Sequence, residues 1–113
     1  MAFDGKLFCI GLLAISFYDP QANTWTVDET ELPWQDMARE ASYQHTFGAT
    51  VHTFYHLHIA QAISHQGRIV VFLDNGAVFA RAADGSWSRY EVAEGTAREL
   101  RRGYVKAASV LLG

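Results

Sequence analysis

The chain has 113 residues, half of them hydrophobic, 13% aromatic and only 19% charged. This length fits one small domain, and the composition excludes a disordered tail, which would be rich in charge and poor in aromatics. A net charge of −3 argues against a nucleic-acid binder with a basic face, and a single cysteine, Cys9, excludes an internal disulfide framework or a multi-cysteine zinc site.

From the N-terminus, residues 7–18 form the longest apolar run. It is shorter than the roughly 18–20 residues that span a bilayer, and Gly11 and Ser16 interrupt it. Asp4 offsets Lys6 ahead of it, so it lacks the cationic n-region of a secretory signal. A cytoplasmic chain with no membrane span is the expectation. The run divides into strands at 7–10 and 14–18, and a third strand follows at 25–27. Asp19, Pro20 and Asn23 make the turn between the last two, because Pro presets φ while Asp and Asn bond back to the backbone. Residues 28–40 are acidic and polar, contain Pro33, and read as a surface loop. Residues 46–55 and 57–59 are rich in β-branched and aromatic side chains, which favours strand; the stretch 55–64 is also open to a short helix.

Residues 68–73 (RIVVFL) have the length and composition of a strand. Asn75-Gly76 then predicts a type I′ hairpin turn, which needs positive φ at both centres, and 77–82 is the return strand. Asp84-Gly85 is a second such turn, and 86–92 alternates as a third strand. Residues 94–102 are charged and read as a loop or helical turn. Residues 103–112 read as a final strand, with helix as the alternative.

A shift of 62 residues lays one half of the chain on the other without a gap. Gly5-Lys6-Leu7-Phe8 falls on Gly67-Arg68-Ile69-Val70, Phe17 on Phe79, Trp25 on Trp87 and Arg39 on Arg101. The fold class that follows is all-β: antiparallel meander sheets in one domain, with repeat 1 at about 5–42, repeat 2 at about 43–102 and an extra strand at about 103–112.

These residues resemble kelch repeats. Gly5-Lys6-Leu7-Phe8-Cys9-Ile10-Gly11 is similar to the second strand of the motif. Tyr18-Asp19-Pro20-Gln21-Ala22-Asn23-Thr24-Trp25 is similar to its Tyr-Asp-Pro-x-x-Asn-x-Trp element, and Met37-Ala38-Arg39 to the approach to the next first strand. The second copy keeps the glycine start and Trp87 but lacks Tyr-Asp-Pro. The period also exceeds the usual kelch length of about 50, the extra residues falling in 45–65. The resemblance implies two blades of a partial β-propeller, beginning at the second strand of one blade, with Trp25 or Trp87 packed between blades. It further implies a non-catalytic protein–protein interaction module, a scaffold or substrate adaptor whose rim loops grip a partner. Under the resemblance Arg39 and Arg101 sit at the binding mouth, where a planar guanidinium suits the carboxylates of an acidic peptide segment. Trp34, Gln35 and Asp36 and the Asp74-Asn75-Gly76 turn flank them. Propellers close with about four to eight blades, so two blades imply a homo-oligomeric ring, the remainder of a longer propeller, or a different packing as a small two-sheet domain.

The residues leave a competing reading open. His45, His52, His56, His58 and His65 are crowded into one segment, and imidazole is a common metal ligand. A small-ligand or metal-binding β domain built on His45–His65 is therefore one alternative, although no carboxylate or cysteine completes a zinc set nearby; a propeller fragment without independent function is the other. Cys9 reads as a buried small hydrophobe, and Phe17, Trp25, Phe72, Phe79 and Trp87 read as core. No phosphate-binding loop, Gly-x-Ser-x-Gly or His-Glu-x-x-His occurs. The sequence thus assigns no catalytic residue, metal or cofactor, and its expected partners include neither nucleic acid nor membrane.

Overall fold

The computed structural model describes residues 1–91 and Gly95. Arg101, the rest of the 94–102 stretch apart from Gly95, and the expected strand at 103–112 lie outside the described residues. Among the described residues the fold is all-β, with a single short helix between the strands. Strands β1 (Ala2–Phe3), β2 (Lys6–Ile10), β3 (Ile15–Asp19) and β4 (Thr24–Asp28) form a four-stranded antiparallel meander. Helix α1 (Gln35–Glu40) follows, then a two-stranded hairpin of β5 (Ser42–Phe47) and β6 (Thr50–Tyr55). Strands β7 (Ile59–His65), β8 (Arg68–Leu73), β9 (Val78–Ala82) and β10 (Trp87–Tyr90) form a second four-stranded meander. No helix among the described residues is long and apolar enough to cross a membrane.

The 62-residue shift has a structural counterpart, beginning with the turns. Asp4 and Gly5 have φ of 50° and 73°; Gln66 and Gly67 have 50° and 72°. Both pairs form tight two-residue turns, because Phe3 pairs with Lys6 and His65 with Arg68. Positive φ at both centres is what the type I′ hairpin needs. The first sheet therefore has a short opening strand of its own rather than starting at the second strand.

The expected type I′ turn at Asn75-Gly76 is not formed. Only Gly76 has positive φ there, at 92°, and Gly85 repeats this at 92°. The Leu73 N–H donates to the Ala77 carbonyl at 2.9 Å and the Gly76 N–H to that of Leu73 at 3.1 Å. The connection is thus three residues long, a tight turn closed by a left-handed glycine. The matching connection in the first sheet is one residue shorter: Leu12 and Leu13 turn between Gly11, whose N–H donates to the Ala14 carbonyl at 3.0 Å, and Ala14. Gly11 is required there, since an added Cβ would lie 2.9 Å from that carbonyl oxygen.

That extra residue slips one strand. Phe8 pairs with Phe17, whereas its counterpart Val70 pairs with Ala80, and Phe79 pairs with Val71. A one-residue slip turns side chains to the opposite face, so Phe17 and Phe79 are not equivalent. The Pro20–Asn23 connection of the first sheet is then one residue longer than the Ala83–Gly85 connection of the second, and the offset is restored. Trp25 and Trp87 do occupy matching places, opposite Tyr18 and Arg81.

The two sheets pack face to face. Phe3, Phe8 and Ile15 of the first meet Ile69, Val71, Leu73, Ala77 and Phe79 of the second in one cluster, with Leu32, Trp34, Ala38 and Leu57 from the connecting segment. On the second sheet's other face Val70, Phe72, Val78 and Ala80 form a separate buried cluster. Burial on both faces explains why β8 reads as a continuous apolar run rather than an alternating one.

The connecting segment overturns one expectation and decides one open alternative. Residues 28–40 are not a polar surface loop: Leu32, Trp34 and Ala38 are buried and Gln35–Glu40 is helical. Met37-Ala38-Arg39 lies in that helix, which leads directly into β5 at Ser42. The stretch 55–64 is not helical, since β7 occupies its second half. The strand expected at 46–55 is present, divided between the two arms of a hairpin that turns at Gly48, where φ is 62°.

Candidate functional site

Helix α1 is only six residues long, too short to be stable by itself. Trp34, at its N-cap, anchors it. The indole Nε1–H donates to the Leu12 carbonyl of the first sheet at 2.7 Å. The ring meets Trp87 edge-on at 5.2 Å and lies 6.0 Å from Phe79, both in the second sheet. Trp34 is 0% exposed, so it is a wedge between the sheets and not a rim residue open to a partner. An indole among acidic neighbours was expected at the surface; its partners, distant in sequence, bury it.

Of the other expected binding residues, Gln35 and Arg39 do line a common cleft. The Asn75 side chain approaches Met37 of the same helix, its Nδ2 being 3.6 Å from the sulfur. Asn75 Oδ1 also accepts from the Ala77 N–H at 2.9 Å. Asp74 is occupied: its Oδ1 accepts from the His58 N–H and its Oδ2 lies against His58 Nδ1, both at 3.0 Å. Asp74 and Asn75 therefore brace the loop before β7 and the helix, while Gln35 and Arg39 face open space.

The cleft has a volume of about 570 Å³. Its walls are the Leu12–Ala14 turn, the end of β4 with the following Glu29–Leu32 segment, helix α1, and the β5–β6 hairpin through Gln44, Thr53 and Tyr55. Strand β4 is the edge of its sheet, pairing only with β3 among the described residues. One wall is thus a strand edge with main-chain groups available for pairing.

The cleft is anionic. Glu29 and Glu31 stand in the lining, and its cation, Arg39, reaches Asp36 at 3.3 Å in an exposed pair. Asp28, at the floor, is engaged from behind by Arg81. That ion pair is 2.9 Å long and both side chains are 9% exposed. Burial alone would raise the Asp28 carboxyl, but the Thr30 N–H, at 2.9 Å, the Thr30 hydroxyl and the Arg81 guanidinium outweigh it and hold the group below the usual carboxylate range. Arg81 also lies 5.3 Å from the centre of the Phe8 ring, so the pair ties β4 to β9 through the core. An arginine inside the apolar strand 77–82 was the sequence signal for a buried carboxylate partner.

The histidines do not converge. His45 and His52 pair across the hairpin, with Phe47 at 4.4 Å from one ring and 5.3 Å from the other. His56 stacks on Tyr43 at 4.9 Å, and His58 turns to Asp74. Among the described residues no three His, Cys, Asp or Glu side chains are grouped to hold a metal ion. Two further expectations are corrected. Cys9 is exposed rather than buried, because it alternates with Phe8 on the outer side of β2. Trp25 is 60% exposed rather than core, resting on Tyr18 with ring centres 5.2 Å apart. No family model, curated protein or solved structure matches the chain.

Proposed function

We propose that this chain is a non-catalytic protein–protein interaction module of the cytoplasm, an adaptor or scaffold surface built from two kelch-like blades. The observation that carries the reading is the cleft, which runs between β4, an edge strand among the described residues, and the β5–β6 hairpin. An extended segment of a partner protein laid there can pair its backbone with a strand edge, the usual source of affinity in strand addition. The flanking side chains of Gln35, Gln44 and Tyr55 then supply selectivity. The kelch resemblance implied an acidic segment; Glu29 and Glu31 instead favour a neutral or basic one, since Arg39 already leans toward Asp36.

The test is selection of binding peptides from a random displayed library on the purified chain, followed by titration of the enriched sequences. Extended peptides bearing lysine or arginine are expected. Charge reversal at Glu29 and Glu31 should weaken them at least tenfold, with the weakening largest at low salt. Enrichment of acidic peptides, or binding indifferent to both glutamates, would refute the assignment of this cleft.

A further inference from the structure

We infer that residues 92–113 of this chain cover the second sheet on the side turned away from the first, as a third layer of the fold. The pairing register places Val70, Phe72, Val78 and Ala80 together on that side, with Ile63 and Tyr90 beside them. The first sheet lies against the opposite side, through Ile69, Val71 and Phe79. Val70, Phe72 and Val78 are nonetheless 0% exposed and Ala80 only 1%. The shielding reaches the far edge strand, where Gln61 Oε1 on β7 is buried as well. Side chains stand roughly perpendicular to a sheet, so a sheet does not close its own face to this degree. Something lies across it. The burial is that of a single chain, so the cover belongs to the chain itself.

The described residues do not supply that cover. The half-buried apolar side chains packed on the cluster are Ala60, Ile63 and Tyr90, all from the second sheet. Phe3, Phe8 and Ile15 of the first sheet, with Trp34 of the connecting segment, belong to the other cluster. The β5–β6 hairpin leaves Tyr43, Phe47, Val51 and Phe54 exposed, so its apolar surface is not spent on this face either.

Exit point, reach and composition select residues 92–113. Strand β10 is an edge of the second sheet and ends at Tyr90, which stands opposite Val78. The chain therefore leaves the sheet at the border of the buried cluster. Four strands spaced about 4.8 Å apart make a face roughly 15–19 Å wide. Residues 103–112 alone span about 30 Å if extended and about 15 Å if helical, so either form crosses most or all of it. They are apolar, with Tyr104, Val105, Val110, Leu111 and Leu112 among small residues and Lys106 as the one charge. Charge agrees with the placement. Residues 1–91 hold twice as many carboxylates as cations, whereas 92–113 set Arg98, Arg101, Arg102 and Lys106 against Glu94 and Glu99. A cationic segment is drawn back onto an acidic body. The placement also separates the two arginines that the 62-residue shift superposes. Arg39 stands on helix α1, whose Ala38 joins the cluster between the sheets, while Arg101 falls on the far side of the second sheet. A partner in the cleft then meets Arg39 and not Arg101.

The experiment is solution NMR on the full chain at two protein concentrations. Nuclear Overhauser contacts should join the methyl groups of Val70, Val78 and Ala80 and the ring of Phe72 to side chains of residues 92–113. Their relative intensity should be the same at both concentrations. Val110→Ser combined with Leu111→Ser should weaken these contacts, shift the Val70 and Val78 methyl resonances and lower the urea midpoint, while the contacts between the two sheets persist. Phe54→Ser, on the exposed hairpin, should do none of this. Contacts from this face to the hairpin, contacts that fade on dilution, or contacts confined to the second sheet's own strands each overturn the inference. If the paired variant does not fold, the contacts in the unaltered chain decide. They are read without any ligand in the cleft, so failure here is distinguishable from failure of the peptide-binding proposal.

Discussion

The two meanders are built to one plan and buried to different extents. In the first, inward Phe8 and Ile15 alternate with outward Leu7 and Cys9; in the second, the corresponding strand is buried on both faces from Ile69 to Leu73. The difference resides in the neighbours rather than in the strands. The second sheet receives the first on one side, and the first sheet offers its reverse side to solvent. Strand-forming sequence thus sets the meander, while position in the stack decides which of its faces becomes core.

The strongest way to break this arrangement is at the wedge between the sheets. Trp34→Ala removes a fully buried indole that touches both, and it leaves the Leu12 carbonyl without its donor. A loss of about 3–5 kcal/mol is expected, a large share of the 5–15 kcal/mol typical of a domain, measured by urea unfolding. Trp34→Phe keeps most of the volume but not the hydrogen bond, and should lose about 1–2 kcal/mol.

Next in size is the ion pair that crosses the same boundary. Arg81→Met leaves Asp28 buried without its partner, and Asp28→Leu leaves Arg81 likewise. Each should cost about 3 kcal/mol. Replacing both together should cost clearly less than the sum of the two, because no unpaired charge remains. Simple additivity in a double-mutant cycle would show that the pair does not couple the sheets.

The same carboxylate gives the arrangement a pH signature. The Asp28 pKa is lowered from its ordinary 3.8 by the Thr30 and Arg81 contacts, so near that pH the unfolded chain binds more protons than the folded one. Its contribution to stability is complete above the unfolded value and is lost as pH falls through the lower folded value. The stability gap between wild type and Asp28→Asn should be flat from neutral pH down to about 5 and narrow in acid. A gap that widens in acid would contradict the direction of the shift.

Most strands were legible because β-branched and aromatic runs end in recognisable turn residues: Lys6–Ile10, Ile15–Asp19, Thr24–Asp28, Arg68–Leu73 and Val78–Ala82 all lie within about two residues of where the sequence puts them. Which face of a strand is core was less legible. In the segment Lys6–Ile10 both faces carry apolar side chains, so nothing local assigns Phe8 inward and Cys9 outward. The register slip between Phe17 and Phe79 was hidden because it depends on loop length, two residues at Leu12-Leu13 against three at Asp74–Gly76, which a gapless shift absorbs. Trp34 and its helix were missed for a third reason. Their stability comes from Leu12, Phe79 and Trp87, which no window of local propensity contains. Of the expected binding residues, Gln35 and Arg39 reach the cleft because they lie on the solvent side of that same helix.

The finest comparison is between the two tryptophans at matching places in the two sheets. Trp87 packs edge-on against Trp34, and its Nε1 is buried with no hydrogen-bond partner among the described residues. Among the described residues Trp25 rests on Tyr18 and is otherwise largely exposed. Trp87→Ala should therefore cost about 3 kcal/mol through lost packing, whereas Trp87→Phe gives up no hydrogen bond. Trp25→Ala, measured at low protein concentration, should cost about 1 kcal/mol or less, the value of one aromatic contact at the surface. Equal losses at the two sites would mean that Trp25 is buried in solution.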